Sequence, residues 1–214
     1  MAFDYKKEYK EFYLPKDKPS IVAVPQINYI AVRGCGDPNE DSGQYKEAMN
    51  ILYSVEYTIK MSKMGDHRIE GYFDYVVPPL EGLWWQEVDG KPVAGFDYGD
   101  KGSMCWISII RLPDFVTKAD FDWAVAEASR KKGIDASKAE FLTLEEGLCA
   151  QIMHHGSYDD EPATIAILLD FIKSEGYSVD IDQVNRFHHE IYLGDPRKTA
   201  PEKLRTVIRY PVKK

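Results

Sequence analysis

The sequence predicts an α+β protein built from two pseudo-symmetric strand-helix-strand-strand units, with antiparallel sheets, helices on one face and a ligand cleft between the units. Three observations carry this. Apolar spacing switches from strand-like to helical and back twice along the 214 residues, in the same order each time. Gly, Pro and Asp clusters punctuate both passes at matching places. Both halves also end on one signature, Ile110-Arg111-Leu112-Pro113 in the first and Ile208-Arg209-Tyr210-Pro211 in the second. A repeat of this length is too long for a solenoid and fits two halves of one domain.

Residues 1–20 alternate lysines with Tyr5, Tyr9, Phe12 and Tyr13 and read as a leader packed on the body, residues 21–214 being a single domain. The first unit spans about 26–115. It opens with the strand INYIAVRGCG, turns at Gly34–Pro38, and continues into a helix whose stripe is Ala48, Ile51, Leu52, Val55 and Ile59, with Ser42 as its expected cap. GYFDYVVPPLEGLWW and MCWISIIRLPDF read as strands joined by the Gly- and Asp-rich excursion VDGKPVAGFDYGDKG. A linking helix follows at 117–133, with Thr117 and Asp120 spaced as a capping box and Gly133 as its stop. The second unit, about 147–212, runs from the strand GLCAQIMHHG through the helix ATIAILLDFIKSEG to the strands RFHHEIYL and LRTVIRYPV.

Composition narrows the function. With 44% hydrophobic and 29% charged residues the chain is globular, and a net charge of -8 with no Lys/Arg-rich run disfavours nucleic acid as a partner while welcoming cations. No stretch approaches a membrane span, and the charged start is unlike a secretion signal. The three cysteines, Cys35, Cys105 and Cys149, lack CxxC spacing and read as buried reduced thiols, which makes the cytoplasm the expected compartment.

Strand parity then picks out a site. In His188–Leu193 the apolar Ile191 and Leu193 should pack on the helices, leaving His188, Glu190 and Tyr192 together on the opposite face. Tyr72, Trp84, Trp85 and Trp106 fall on the other strands and would crowd the same region if the two sheets faced one another across the cleft. Trp106 shares parity with Ser108, and Cys105, Ile107 and Ile109 make the core face. Adjacent Trp84 and Trp85 cannot both face a pocket in a regular strand. Aromatic walls around a carboxylate suit flat cations. Burial would raise that carboxylate's pKa. Neither a metal set nor a cofactor is expected: His188 and Glu190 lack an evident third ligand, and HExxH, Walker, dinucleotide and GxSxG patterns are missing.

The stretch HHEIYLGDPR at 188–197, the string PEKLRTVIR at 201–209, PLEGLWW at 79–85, and His154, Gly156, Tyr158, Asp159 and Glu161 resemble the signature of stand-alone GyrI-like small-molecule-binding proteins, from about residue 20 to the C-terminus. The resemblance implies a duplicated SHS2 unit and a cleft for hydrophobic, often cationic aromatics with a glutamate at its floor, best matched by Glu190. Some members are similar in hydrolysing cyclopropane-bearing DNA alkylators. His155 and Ser157 stand where the pattern has an apolar residue and a proline. The expected ligand-binding set is therefore Trp84, Trp85, Trp106, His154, His188 and Glu190, and the expected catalytic set, should the protein be a hydrolase, is Glu190 with Tyr72 and Tyr192. Sequestration, hydrolysis with Glu190 as general base, and a role as a partner of another protein remain the three readings at this point.

Overall fold

The computed structural model describes residues 2–93, 96–97, 99–182 and 184–214; within the Gly- and Asp-rich excursion, positions 94, 95 and 98 lie outside the described residues. The chain begins with β1 (Phe3–Asp4) and two single-turn helices, α1 (Tyr5–Glu8) and α2 (Lys10–Tyr13). The first unit comprises β2 (Ser20–Cys35), α3 (Gln44–Lys60), β3 (Tyr75–Val76), β4 (Leu80–Val88), β5 (Lys91–Val93) and β6 (Met104–Arg111). After α4 (Lys118–Lys132), the second unit comprises β7 (Glu140–His155), α5 (Glu161–Ser174), β8 (Ser178–Val179), β9 (His188–Tyr192) and β10 (Arg205–Lys213).

The α+β class with antiparallel pairing holds in the main sheet, and the units share one strand order: β2-β6-β4 in the first, β7-β10-β9 in the second. They join twice, β2 to β7 and β4 to β9, so that β4-β6-β2-β7-β10-β9 close into an antiparallel ring. Closure leaves a strand with an inner and an outer face rather than a wet and a dry one. Ile191 accordingly packs with Leu83, Ile107, Ile109, Met153 and Val207 inside the ring, not on the helices as parity alone suggested. The longer helices lie outside, α3 and α4 against Ile30, Val32 and Ile110, and α5 against Ala150, Ile152 and Ile208, whereas Tyr5 of α1 and Phe12 and Tyr13 of α2 join the interior cluster. The sheet faces expected to meet across an open cleft are thus packed solid, and His188, Glu190 and Tyr192 belong to the helix-bearing face.

Local signals behave as their chemistry dictates, with exceptions of traceable cause. The Thr117–Asp120 capping box forms, and Gly133 ends α4 in the left-handed region at φ 65°. At α3 the cap position belongs to Gly43 and not to Ser42. β2 starts at Ser20, earlier than its composition suggests, because Ser20–Val24 ladder onto Gln151–Gly147 of β7. The thiol reading is overturned: Cys35 and Cys105 form a disulfide, since the β2–β6 register sets them directly opposite, while Cys149 stays a buried free thiol. The support that reduced cysteines lent to a cytoplasmic address is removed with it. Among the described residues no helix is long and apolar enough to cross a membrane.

The repeated arginines explain how residues 2–14 attach. Arg209 donates from Nη2 to the Phe12 carbonyl at 2.7 Å, and Arg111 lies over the rings of Tyr5 and Tyr9 at 4.7 and 4.5 Å. Inside the ring His189 donates from both nitrogens, to Glu146 and to Glu81, each at 2.9 Å, and Arg209 Nη1 reaches Glu146 at 2.8 Å. All four groups are buried, so each charge depends on its partners. Burial alone would lower the His189 pKa, but Glu146 and Glu81 outweigh it and hold the imidazole up to about 9. Burial likewise opposes ionisation of Glu146, and His189 and Arg209 reverse this to about 2.

Candidate functional site

Where β4 and β9 meet, the outer face of the ring is left uncovered between α3 and α5, and a cavity of about 980 Å³ opens there. Its aromatic lining comes from five places: Tyr45 and Tyr53 on α3, Trp84 on β4, Phe96 on the excursion between β5 and β6, Tyr158 on the turn before α5, and Tyr192 on β9. Glu190 and Glu161 supply its buried carboxyl groups. Alternation along β9 aims Glu190 and Tyr192 outward while His189 and Ile191 go inward, and Glu161 arrives as the first residue of α5.

A continuous hydrogen-bonded chain holds these groups. The Trp84 indole donates to Tyr192 Oη at 2.7 Å, and Tyr192 donates to Glu190 Oε2 at 2.7 Å. His188 Nε2 pairs with Glu190 Oε1 at 2.8 Å, and its Nδ1 lies 2.9 Å from the Tyr210 hydroxyl. The assignment that satisfies every member has Tyr210 donating to Nδ1 and Nε2–H donating to the carboxylate. Room for the chain comes from Gly82: a Cβ there would stand 2.3 Å from Trp84 Nε1 and 2.9 Å from Tyr192 Oη.

The two carboxyl groups differ electrostatically. Burial acts to raise the Glu190 pKa, yet donation from His188 and Tyr192 overrides it, and the group is held below the usual carboxylate range. This reverses the expectation that desolvation would raise it. The raised group is Glu161, pushed well up by burial and then by the charge of Glu190. Donor atoms of Glu161, His188 and Glu190 lie within 4.8 Å of one another, close enough to reach one cation, but Nε2 of His188 and both Glu190 oxygens are already engaged.

The model of the GyrI-like small molecule binding domain matches residues 17–213. The chain belongs to the GyrI-like family. Among solved structures it is similar to a hydrolase from Listeria innocua, at 43% identity over 99% of this chain and 100% of that one, with a TM-score of 0.88. It is likewise similar to an uncharacterized conserved protein from Listeria innocua, at 46% identity over 99% and 100% and a TM-score of 0.90. The C-terminal domain of EcmrR shares the fold at 14% identity over 92% and 98%, with a TM-score of 0.54. Comparison with curated proteins returns no match.

On this GyrI-like frame the expected site residues separate. Trp84, Glu190 and Tyr192 line the cavity together. His188 is fully covered behind Glu190, and Trp106 is buried behind Trp84 and Tyr45, with centroid distances of 6.0 and 5.2 Å, bracing the wall from the core side. Trp85 turns to the opposite parity, beside Phe187 at 5.5 Å, with its indole bonded to Glu87. His154 is buried, bridging Thr164 Oγ1 at 2.8 Å and the Ser157 carbonyl at 2.9 Å, and so fixes the turn that carries Tyr158 and Glu161. Tyr72 lies beyond the C-terminal end of α3, donating to the Lys60 carbonyl at 2.8 Å and packed on Phe115, outside the cavity. Residues missed as site members include Tyr45, Tyr53, Phe96, Tyr158 and Glu161. Glu161 was part of the family signature but had no assigned role, and nothing local marks one helical tyrosine as a wall rather than surface.

Proposed function

We propose that the cavity binds hydrophobic, flat aromatic molecules carrying positive charge, for sequestration or detoxification. The observation that carries this reading is Glu190 beside Trp84 and Tyr192 in the cavity, with His188 and Tyr192 donating to its carboxylate, which stabilises the charged form before any ligand arrives. A cation there gains the carboxylate and contacts with aromatic faces worth roughly 0.5–2 kcal/mol each. Of the cations lining the cavity, Lys46, Lys101 and Arg197 are ion-paired with Asp41, Asp159 and Asp195, and Lys6 of α1 also reaches the lining. The partner is a small aromatic molecule, with no part for nucleic acid, metal or cofactor in this reading.

A second reading is hydrolysis, favoured by the 43% identity to a protein described as a hydrolase. Glu190 would take a proton from water as it opens a strained, cyclopropane-bearing electrophile, and Tyr192 would hydrogen-bond to the carbonyl that gains charge. Tyr72 has no part in it, because it lies outside the cavity.

Glu190→Gln tests both. For a cation binder, affinity for planar cations falls by roughly 10- to 100-fold, about 1–3 kcal/mol, with neutral aromatics of the same shape little changed. For a hydrolase, turnover of a neutral cyclopropanoid falls by about a hundredfold or more with binding retained. Unchanged affinity and unchanged turnover would sink both roles for Glu190.

A further inference from the structure

Glu161 and Glu190 come from different elements, the first turn of α5 and the middle of β9, and meet at the floor of one cavity. Glu161 is 1% exposed and its Oε1 has no hydrogen-bond partner among the described residues, whereas Glu190 receives His188 and Tyr192. Two carboxylates this close in a poorly solvated site cannot both ionise at neutral pH. The donors decide which one keeps the charge. Glu190 has two, so the proton belongs on Glu161, whose carboxyl lies within 4.8 Å of Glu190.

We infer that Glu161 and Glu190 share one proton, so that the cavity floor presents a single negative charge and selects monocations, a compact dication being accepted only with release of that proton. The ligand half of this rests on the cavity being a cation site, as proposed above; the shared proton does not. When a dication enters, the Glu161 O–H bond breaks, the electron pair stays on the carboxylate, and the proton passes to the buffer. No other reactant is needed.

The surrounding groups leave the pair this role. From α3 come Tyr45 and the ion-paired Lys46; from the turn before α5, Tyr158 and Asp159; from β9, His188 and Tyr192; from β10, Tyr210. Asp195 and Arg197 pair with each other on the loop after β9, and Lys101 pairs with Asp159. Lys6 of α1 also reaches the lining. The four tyrosines are neutral at pH 7, Tyr158 being pushed up to about 12 by burial and Glu190.

Two measurements test the inference separately. Infrared difference spectra at pH 7 should show the carbonyl stretch of a neutral carboxylic acid, lost in Glu161→Gln. In Glu190→Gln it should persist, because burial, the larger cause holding Glu161 neutral, remains when the Glu190 charge is gone. Burial pushes Glu56 up to about 7, so the comparison is made in a Glu56→Gln background. Persistence of the band in Glu161→Gln, or its absence beforehand, overturns the shared proton whatever the ligand. Calorimetry in buffers of different ionisation enthalpy then counts protons. N-methylacridinium should bind with none released, and dimethyl-bipyridinium with about one, its affinity rising up to tenfold per pH unit. In Glu161→Gln the release should vanish. Equal proton counts for the two probes overturn the charge selectivity; failure of the monocation to bind, with the infrared band present, overturns the cation reading and leaves the proton pair standing, and failure of the dication alone overturns its acceptance with proton release.

Discussion

Trp84 on β4 hydrogen-bonds to Tyr192 on β9 at 2.7 Å, reaching across the seam where the two units meet. The bond passes over Gly82, which lies opposite Glu190 in the ladder and has no side chain to block it. One contact thereby ties an aromatic wall, the junction of the repeats and the charged floor together.

Gly82→Ala should break this arrangement, since its Cβ would fall 2.3 Å from Trp84 Nε1. The indole must rotate or the seam must open, at roughly 1–3 kcal/mol. Tryptophan emission should shift and aromatic-cation affinity should drop by about tenfold or more. A variant with unchanged emission and affinity would show that the seam accommodates the methyl and that the Trp84–Tyr192 bond is dispensable.

Tyr192→Phe removes a hydroxyl that accepts from Trp84 and donates to Glu190. Two groups lose their partner at once, so urea denaturation should report a loss of about 1–3 kcal/mol. The Glu190 pKa should also rise, because one of the donors that hold it down is gone. Cation binding should then weaken on mild acidification, where the unaltered protein keeps it; an identical pH profile for both proteins would refute the role given to Tyr192.

Stability should fall in mild alkali. His189 is held at about 9 in the folded protein against an unfolded value near 6.5, so its contribution is complete below about 6.5 and disappears as pH rises through about 9. The amount at stake is on the order of 3 kcal/mol. Thermal melts between pH 6.5 and 9.5 check it, and a flat profile would mean that the buried imidazole is neutral. Glu146 works in the other direction: its contribution is present above about 4.5 and is lost as pH falls through about 2.

Arg209→Leu should be among the most damaging single changes. It leaves Glu146 short of a cation in a fully buried network and frees the Phe12 carbonyl that anchors the N-terminal segment. A loss of about 3–5 kcal/mol is expected in chemical denaturation. Proteolysis should then cut first near residues 10–20; cleavage elsewhere, or normal stability, would contradict the anchoring role.

Breaking the Cys35–Cys105 bond should lower the melting temperature. The bridge spans 70 residues of sequence, for which the chain-entropy argument allows up to about 4 kcal/mol. Thiol titration of the native, unreduced protein should find no reactive group, because Cys149 is buried and its thiol pKa is raised by that burial. Two reactive thiols together with an unchanged melt in reductant would show the pair to be open.

Much of this protein was determined by sequence alone. Helical periodicity over Ala48–Ile59, the Thr117–Asp120 box and the duplicated order of elements are local signals, and local chemistry decided them. Alternation along His188–Tyr192 likewise separated Glu190 and Tyr192 from Ile191, and the GyrI-like signature named the glutamate. Only the tertiary structure decided which of those two faces is inside, for a period of two distinguishes sides without saying which side a closed ring will bury. Register between distant strands, which no single segment encodes, paired Cys35 with Cys105 and set Gly82 beside Glu190. Glu161 entered the site for the same reason: its position depends on where α5 docks relative to β9, and its proton on the donors that reach Glu190 instead.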